Sequence, residues 1–130
     1  MLTSLQNPLS LVGRILLALL FIPAGFSKIG GFAGAVAYAA AKGVPMPELA
    51  IAMAILVELG LGLLLLVGFQ TRWAALAIAF FTFVITFIFH PLADPAQAQS
   101  FFKNIAVVGG LLTVAAWGAG AWSVDAKRGR

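Results

Sequence analysis

Apolar residues run along this chain in four long stretches separated by short polar breaks. The first, about residues 9–27, is near the lower length limit for crossing a bilayer and is interrupted only by Arg14 and Pro23 before Lys28 stops it. The second, about 47–69, opens with Pro47 in its first turn and Glu48 near the positive end of the helix dipole, and only Glu58 breaks its interior. The third, about 72–90, places Trp73 where an amphipathic ring suits the headgroup level and ends at His90-Pro91. The fourth, about 101–119, leads through Trp122 to a charged tail of Asp125, Lys127, Arg128 and Arg130. The pattern predicts an all-α integral membrane four-helix bundle, one domain over residues 1–130, with both termini on one side.

The connections differ in character. Gln70 and Thr71 read as a tight turn, and residues 92–100 as a short polar loop. Residues 30–47 hold Phe32, Val36, Tyr38 and several alanines before Lys42-Gly43, which predicts a short interfacial or re-entrant helix between the first two spans, ended by Gly and Pro. A signal peptide is disfavoured, because no Lys or Arg precedes Arg14. Basic residues favour the terminal side, with Arg72, Lys127, Arg128 and Arg130 against Lys28, Lys42 and Lys103, so both termini are expected in the cytoplasm.

In lipid the two sides of a helix do not differ in hydrophobic drive, so inward faces are read from small and polar residues at helical spacing. The second span offers Ala50, Ala54, Glu58 and Gly62; the third offers Ala75, Ala79, Thr82, Thr86 and His90. The fourth offers Lys103, Ala106, Gly110, Thr113 and Trp117, and the first Arg14, Ala18 and Gly25. Such stripes also suit a homo-oligomer.

Composition narrows the chemistry. With 62% hydrophobic and 9% charged residues, the chain has too little polar surface to face water on all sides. The net charge of +4 comes from residues scattered at span ends, which suits lipid anchoring rather than nucleic-acid binding. With no cysteine and one histidine, the chain lacks the ligands for a metal centre and has no intrinsic redox cofactor, so redox chemistry needs a borrowed one.

Two constellations remain. A charge at mid-bilayer costs about 2.5–3.5 kcal/mol on insertion scales, so Glu58 needs a partner, and Arg14 on an antiparallel neighbour is the expected one. That buried polar pair either fixes helix register or carries protons. At the opposite end, helix direction gathers Lys28, His90, Lys103 and Asn104 into a basic mouth. Hydrogen bonds there suit a quinone head group or an anionic oxygen; the alternative is ordinary snorkelling lysines and a helix-capping histidine.

The ordered set Gly13-Arg14, Ala24-Gly25-Phe26-Ser27-Lys28, Gly43-Val44-Pro45, Val57-Glu58-Leu59-Gly60, Thr71-Arg72, His90-Pro91, Phe102-Lys103-Asn104 and Trp122-Ser123-Val124-Asp125 resembles the DoxX family of small bacterial membrane proteins, from about Leu11 to Asp125. The resemblance implies a multi-pass protein of the bacterial plasma (inner) membrane. In some members the family is linked to thiosulfate:quinone oxidoreductase, in others to membrane-associated oxidoreductase or oxidative-stress complexes. The leading expectation is therefore an accessory membrane subunit of a redox complex, with oxidoreductase partner subunits and a bound quinone. A small proton-coupled carrier using Glu58, or a purely structural assembly factor, are the competing readings.

Overall fold

A computed structural model describes residues 2–91 and 93–128. Leu92 of the polar loop and Arg130 of the charged tail lie outside the described residues. Four helices are long and apolar enough to cross a membrane. We label the elements α1 (Gln6–Gly30), α2 (Phe32–Ala41), α3 (Pro47–Val67), α4 (Thr71–Phe89), α5 (Ala98–Trp117) and α6 (Val124–Lys127). The result is the all-α bundle expected, with α2 as the short helix between the first two spans.

Local chemistry explains the boundaries. α2 stops at Lys42-Gly43, where Gly43 takes a positive φ of 81° and the Gly43 and Val44 N–H groups donate to the carbonyls of Ala40 and Ala39. The helix α3 begins at Pro47, whose missing N–H costs nothing in a first turn. Its middle, Leu56–Leu61, is a π segment. The wider i→i+5 turn advances by a smaller angle per residue, so side chains four apart stay closer to one face. That keeps Ala54, Glu58 and Gly62 all buried.

The packing of α1 on α3 is set by glycine. A Cβ on Gly25 would stand 2.8 Å from the Leu59 backbone nitrogen and 3.2 Å from the Glu58 Cβ, so only glycine permits this approach. The same antiparallel register puts Gly62 against Phe21 and Ile22. Below it, Phe21, Leu65, Ala75, Ile78, Ala79, Val108 and Leu111 form one apolar core in the half of the bundle that holds the termini.

The small-residue stripes of α1, α3 and α4 point inward as expected, but that of α5 does not. Lys103, Ala106, Thr113 and Trp117 are exposed and Gly110 half-buried, whereas Phe101, Val108 and Leu111 are buried. The reason is complementarity: α4 presents alanines to α5, so α5 must supply bulk, since two small faces would leave a void.

A polar clasp closes the terminal end. Arg14, 1% exposed, donates through Nη1 to the carbonyls of Leu65 (3.1 Å) and Leu66 (2.9 Å), and through Nη2 to that of Trp122. It thereby satisfies carbonyls that the end of α3 leaves without an intrahelical partner. Asp125 accepts from the Gln70 and Thr71 N–H groups at 2.7 and 2.9 Å, supplying α4 with the N-cap its own sequence lacks, while the Asp125 N–H donates to the Gly68 carbonyl. Gly68 must be glycine twice over: its φ is 77°, and a Cβ would meet Ser123 and Arg14.

Candidate ligand site

The other half of the bundle is hollow. α4 packs against the 56–67 portion of α3 and diverges from Pro47–Ile55, and α2 bridges the resulting gap. Tyr38 of α2 stacks on Phe89 of α4 with ring centroids 5.4 Å apart, while its neighbour Ala39 is fully buried. The space between α1, α2, α3 and α4 is a half-open cavity of about 430 Å³ whose lining includes the exposed Met53 and Val84, in the size range that holds small-molecule ligands.

Its wall is mainly apolar, built from Tyr38, Ala54, Phe81, Ile85 and Phe89 among others. Its charged groups are Lys28 and Glu58. The Lys28 Nζ donates to Glu58 Oε1 at 2.8 Å, with the lysine side chain 28% and the glutamate 6% exposed. A lysine near a helix end ordinarily extends toward the headgroups. Here it turns into the bundle, because Lys28 lies one helical step beyond Gly25 on the α1 face pressed against α3. The remaining Lys28 N–H groups and the second Glu58 oxygen supply donors and an acceptor at one point of an apolar chamber.

Arg14 and Glu58 are both buried, but they do not form the expected pair. Gly25 lies opposite Glu58 and Leu59, and eleven residues of helix, roughly 16 Å, separate it from Arg14. Arg14 therefore reaches the end of α3 and Lys28 takes the acid.

The expected mouth divides as well. His90 lines the cavity with Lys28, and its Nδ1 lies 2.6 Å from Gln97 Oε1. Because an amide oxygen only accepts, Nδ1 carries the hydrogen, and Nε2 has no hydrogen-bond partner among the described residues. Lys103 and Asn104 do not line the cavity; Lys103 is exposed and Asn104 half-buried. Their helix packs on α4 through Phe101, Val108 and Leu111, and no residue of α5 reaches the chamber.

Two functional contacts escape a reading by residue type. Lys28 continues the Arg14, Ala18, Phe21, Gly25 spacing of four, three and four by one more step of three, a signal present in the sequence. The capping role of Asp125 has no local signal, since its partners lie over fifty residues away. Among the described residues, no three His, Asp or Glu side chains come together as a metal site.

Residues 9–91 match the model of the DoxX family. The chain is 45% identical over 116 residues to the inner membrane protein YqjF of Escherichia coli (strain K12), covering 88% of each chain. It is 37% identical over 125 residues to the inner membrane protein YphA of the same organism, covering 92% of this chain and 89% of that one. No solved structure is significantly similar. With four apolar helices and these relatives, the chain is a multi-pass inner membrane protein.

The ion pair has a measurable signature. In a double-mutant cycle on detergent-solubilised protein, Lys28→Met and Glu58→Leu should each destabilise by about 1–3 kcal/mol, by leaving a charged partner unsatisfied. The double variant should recover most of the loss, as apolar replacement of both partners does for buried pairs. Arg14→Met combined with Glu58→Leu should be additive within about 0.5 kcal/mol. Strong coupling of Arg14 to Glu58, with none to Lys28, contradicts the geometry.

Proposed function

This chain belongs to the DoxX family, and we propose that it serves as an accessory membrane subunit of a redox complex, holding a quinone-type molecule in its intramembrane cavity. The observation that carries this reading is the Lys28–Glu58 pair set in an aromatic and aliphatic chamber of about 430 Å³. A quinone is an apolar ring with carbonyl acceptors, and its reduced form carries hydroxyl donors. Lys28 would donate to the former and Glu58 accept from the latter, with Phe81 and Phe89 against the ring. A chain without cysteine has no thiol to exchange, which favours a borrowed carrier and oxidoreductase partner subunits.

The carrier reading is less well supported. A carrier needs access to Glu58 from both sides, and the core from Phe21 to Leu111 together with the clasp fills the terminal half. The structural reading accounts for Arg14 but leaves the cavity without a role.

A short-chain benzoquinone added to purified protein in nanodiscs tests the pocket. Wild type should bind it saturably, Lys28→Met should weaken binding by roughly tenfold, the loss of one charged hydrogen bond to a quinone carbonyl, and Ala54→Phe should abolish it by filling the chamber. Unchanged binding in Ala54→Phe, or recovery of no oxidoreductase subunit in native pull-downs, counts against the proposal.

We also propose that both termini face the cytoplasm. Arg72, Lys127 and Arg128 lie on that side, while on the other Lys28 is turned inward and Lys42 and Lys103 remain. A carboxy-terminal fusion to a reporter that fluoresces only in the cytoplasm should fluoresce; activity of a periplasm-dependent phosphatase at that position contradicts the orientation.

A further inference from the structure

A second concavity of about 500 Å³ lies at the terminal end, outside the chamber and unused by it. It sits where α4 begins and α5 ends, between Trp73 and Trp117, which are 72% and 87% exposed. Exposed tryptophans at the ends of two spans mark the headgroup level. Arg72 lies between them in the lining. Its Nε donates to the Ala115 carbonyl at 2.7 Å, one of the orphan carbonyls at the end of α5, and a Cβ at Gly118 would lie 3.8 Å from its stem.

The guanidinium is thus held at one nitrogen, while its two terminal nitrogens make no hydrogen bond among the described residues. Asp125 also lines the cleft, but its carboxylate is occupied by the Gln70 and Thr71 N–H groups and attracted by Arg14. Arg72 is therefore the charge left over. On the membrane side of the cleft, α4 and α5 expose Leu76, Phe80 and Leu112, an apolar surface of the kind acyl chains cover.

We propose that this cleft binds the phosphodiester headgroup of an anionic phospholipid, with Arg72 as its anchor. A planar guanidinium presenting two parallel N–H groups matches two phosphate oxygens. Indole rings on both sides and apolar helix faces toward the bilayer suit an amphiphile rather than a free ion. A lipid without compensating positive charge in its headgroup gains most from Arg72. Because Asp125 and Gly118 belong both to this wall and to the terminal loop, a lipid seated here also steadies the clasp.

Native mass spectrometry of the full chain, delipidated in detergent and offered phosphatidylglycerol, phosphatidylcholine or millimolar inorganic phosphate, tests the site. Wild type should retain phosphatidylglycerol over phosphatidylcholine, and inorganic phosphate should neither bind nor displace it. Arg72→Gln should lower phosphatidylglycerol retention roughly fivefold, the effect of one basic group at a membrane surface, while Lys127→Gln, outside the cleft, should change it less than twofold. Trp117→Ala removes an exposed ring without touching the core, and should lower retention even if Arg72→Gln fails to fold. Equal retention of the two lipids, equal effects of Arg72→Gln and Lys127→Gln, or unchanged retention in Trp117→Ala overturns the site; displacement by inorganic phosphate overturns the lipid as its occupant.

Discussion

The close approach of α1 to α3 at Gly25 is the contact from which the other features follow. Two backbones meet there with no room for a side chain, so the helices can neither slide nor rotate without a clash. Once that register is set, each polar residue of α1 has one destination. Lys28 falls beside Glu58, and Arg14 falls beside the carbonyls that end α3. In hydrocarbon neither charge is tolerable alone, and the register provides each with a partner.

The same contact divides the bundle into a filled half and a hollow one. Toward the termini, large side chains of α5 fill against the alanines of α4, and the clasp of Arg14, Trp122 and Asp125 ties the ends together. Away from them, α3 and α4 diverge and α2 spans the gap through Tyr38 and Phe89. The π segment lies where the filled half gives way to the hollow one, which turns Glu58 toward the cavity without removing Gly62 from the packed face. Rigid support below and an apolar chamber above form an arrangement suited to holding a lipid-soluble molecule at a fixed polar point.

Much of this was legible in the sequence. Four spans, the short helix after the first, its Gly43 stop and the inward faces of α1, α3 and α4 follow from hydrophobic length, helix-ending residues and small-residue spacing. The departures share a cause. Stripes are read one helix at a time, but α5 chose its face to complement α4, and bulk won over smallness. Similarly, pairing Glu58 with Arg14 assumed helices level at their ends, whereas the glycine contact shifts α1 so that Lys28 is nearer. Asp125 caps a helix more than fifty positions away in the chain, and no local pattern announces that.

The α1–α3 register is the central claim, and a chain without cysteine allows it to be read directly. A Cβ at Gly62 would lie 3.5 Å from the Phe21 Cβ, a separation that a disulfide bridges. Oxidation of membranes containing the Phe21→Cys, Gly62→Cys variant should therefore give rapid intramolecular cross-linking. The register that would set Arg14 opposite Glu58 instead brings Phe21 opposite Ile51. Cross-linking of Phe21→Cys, Ile51→Cys, with none in Phe21→Cys, Gly62→Cys, would contradict the account.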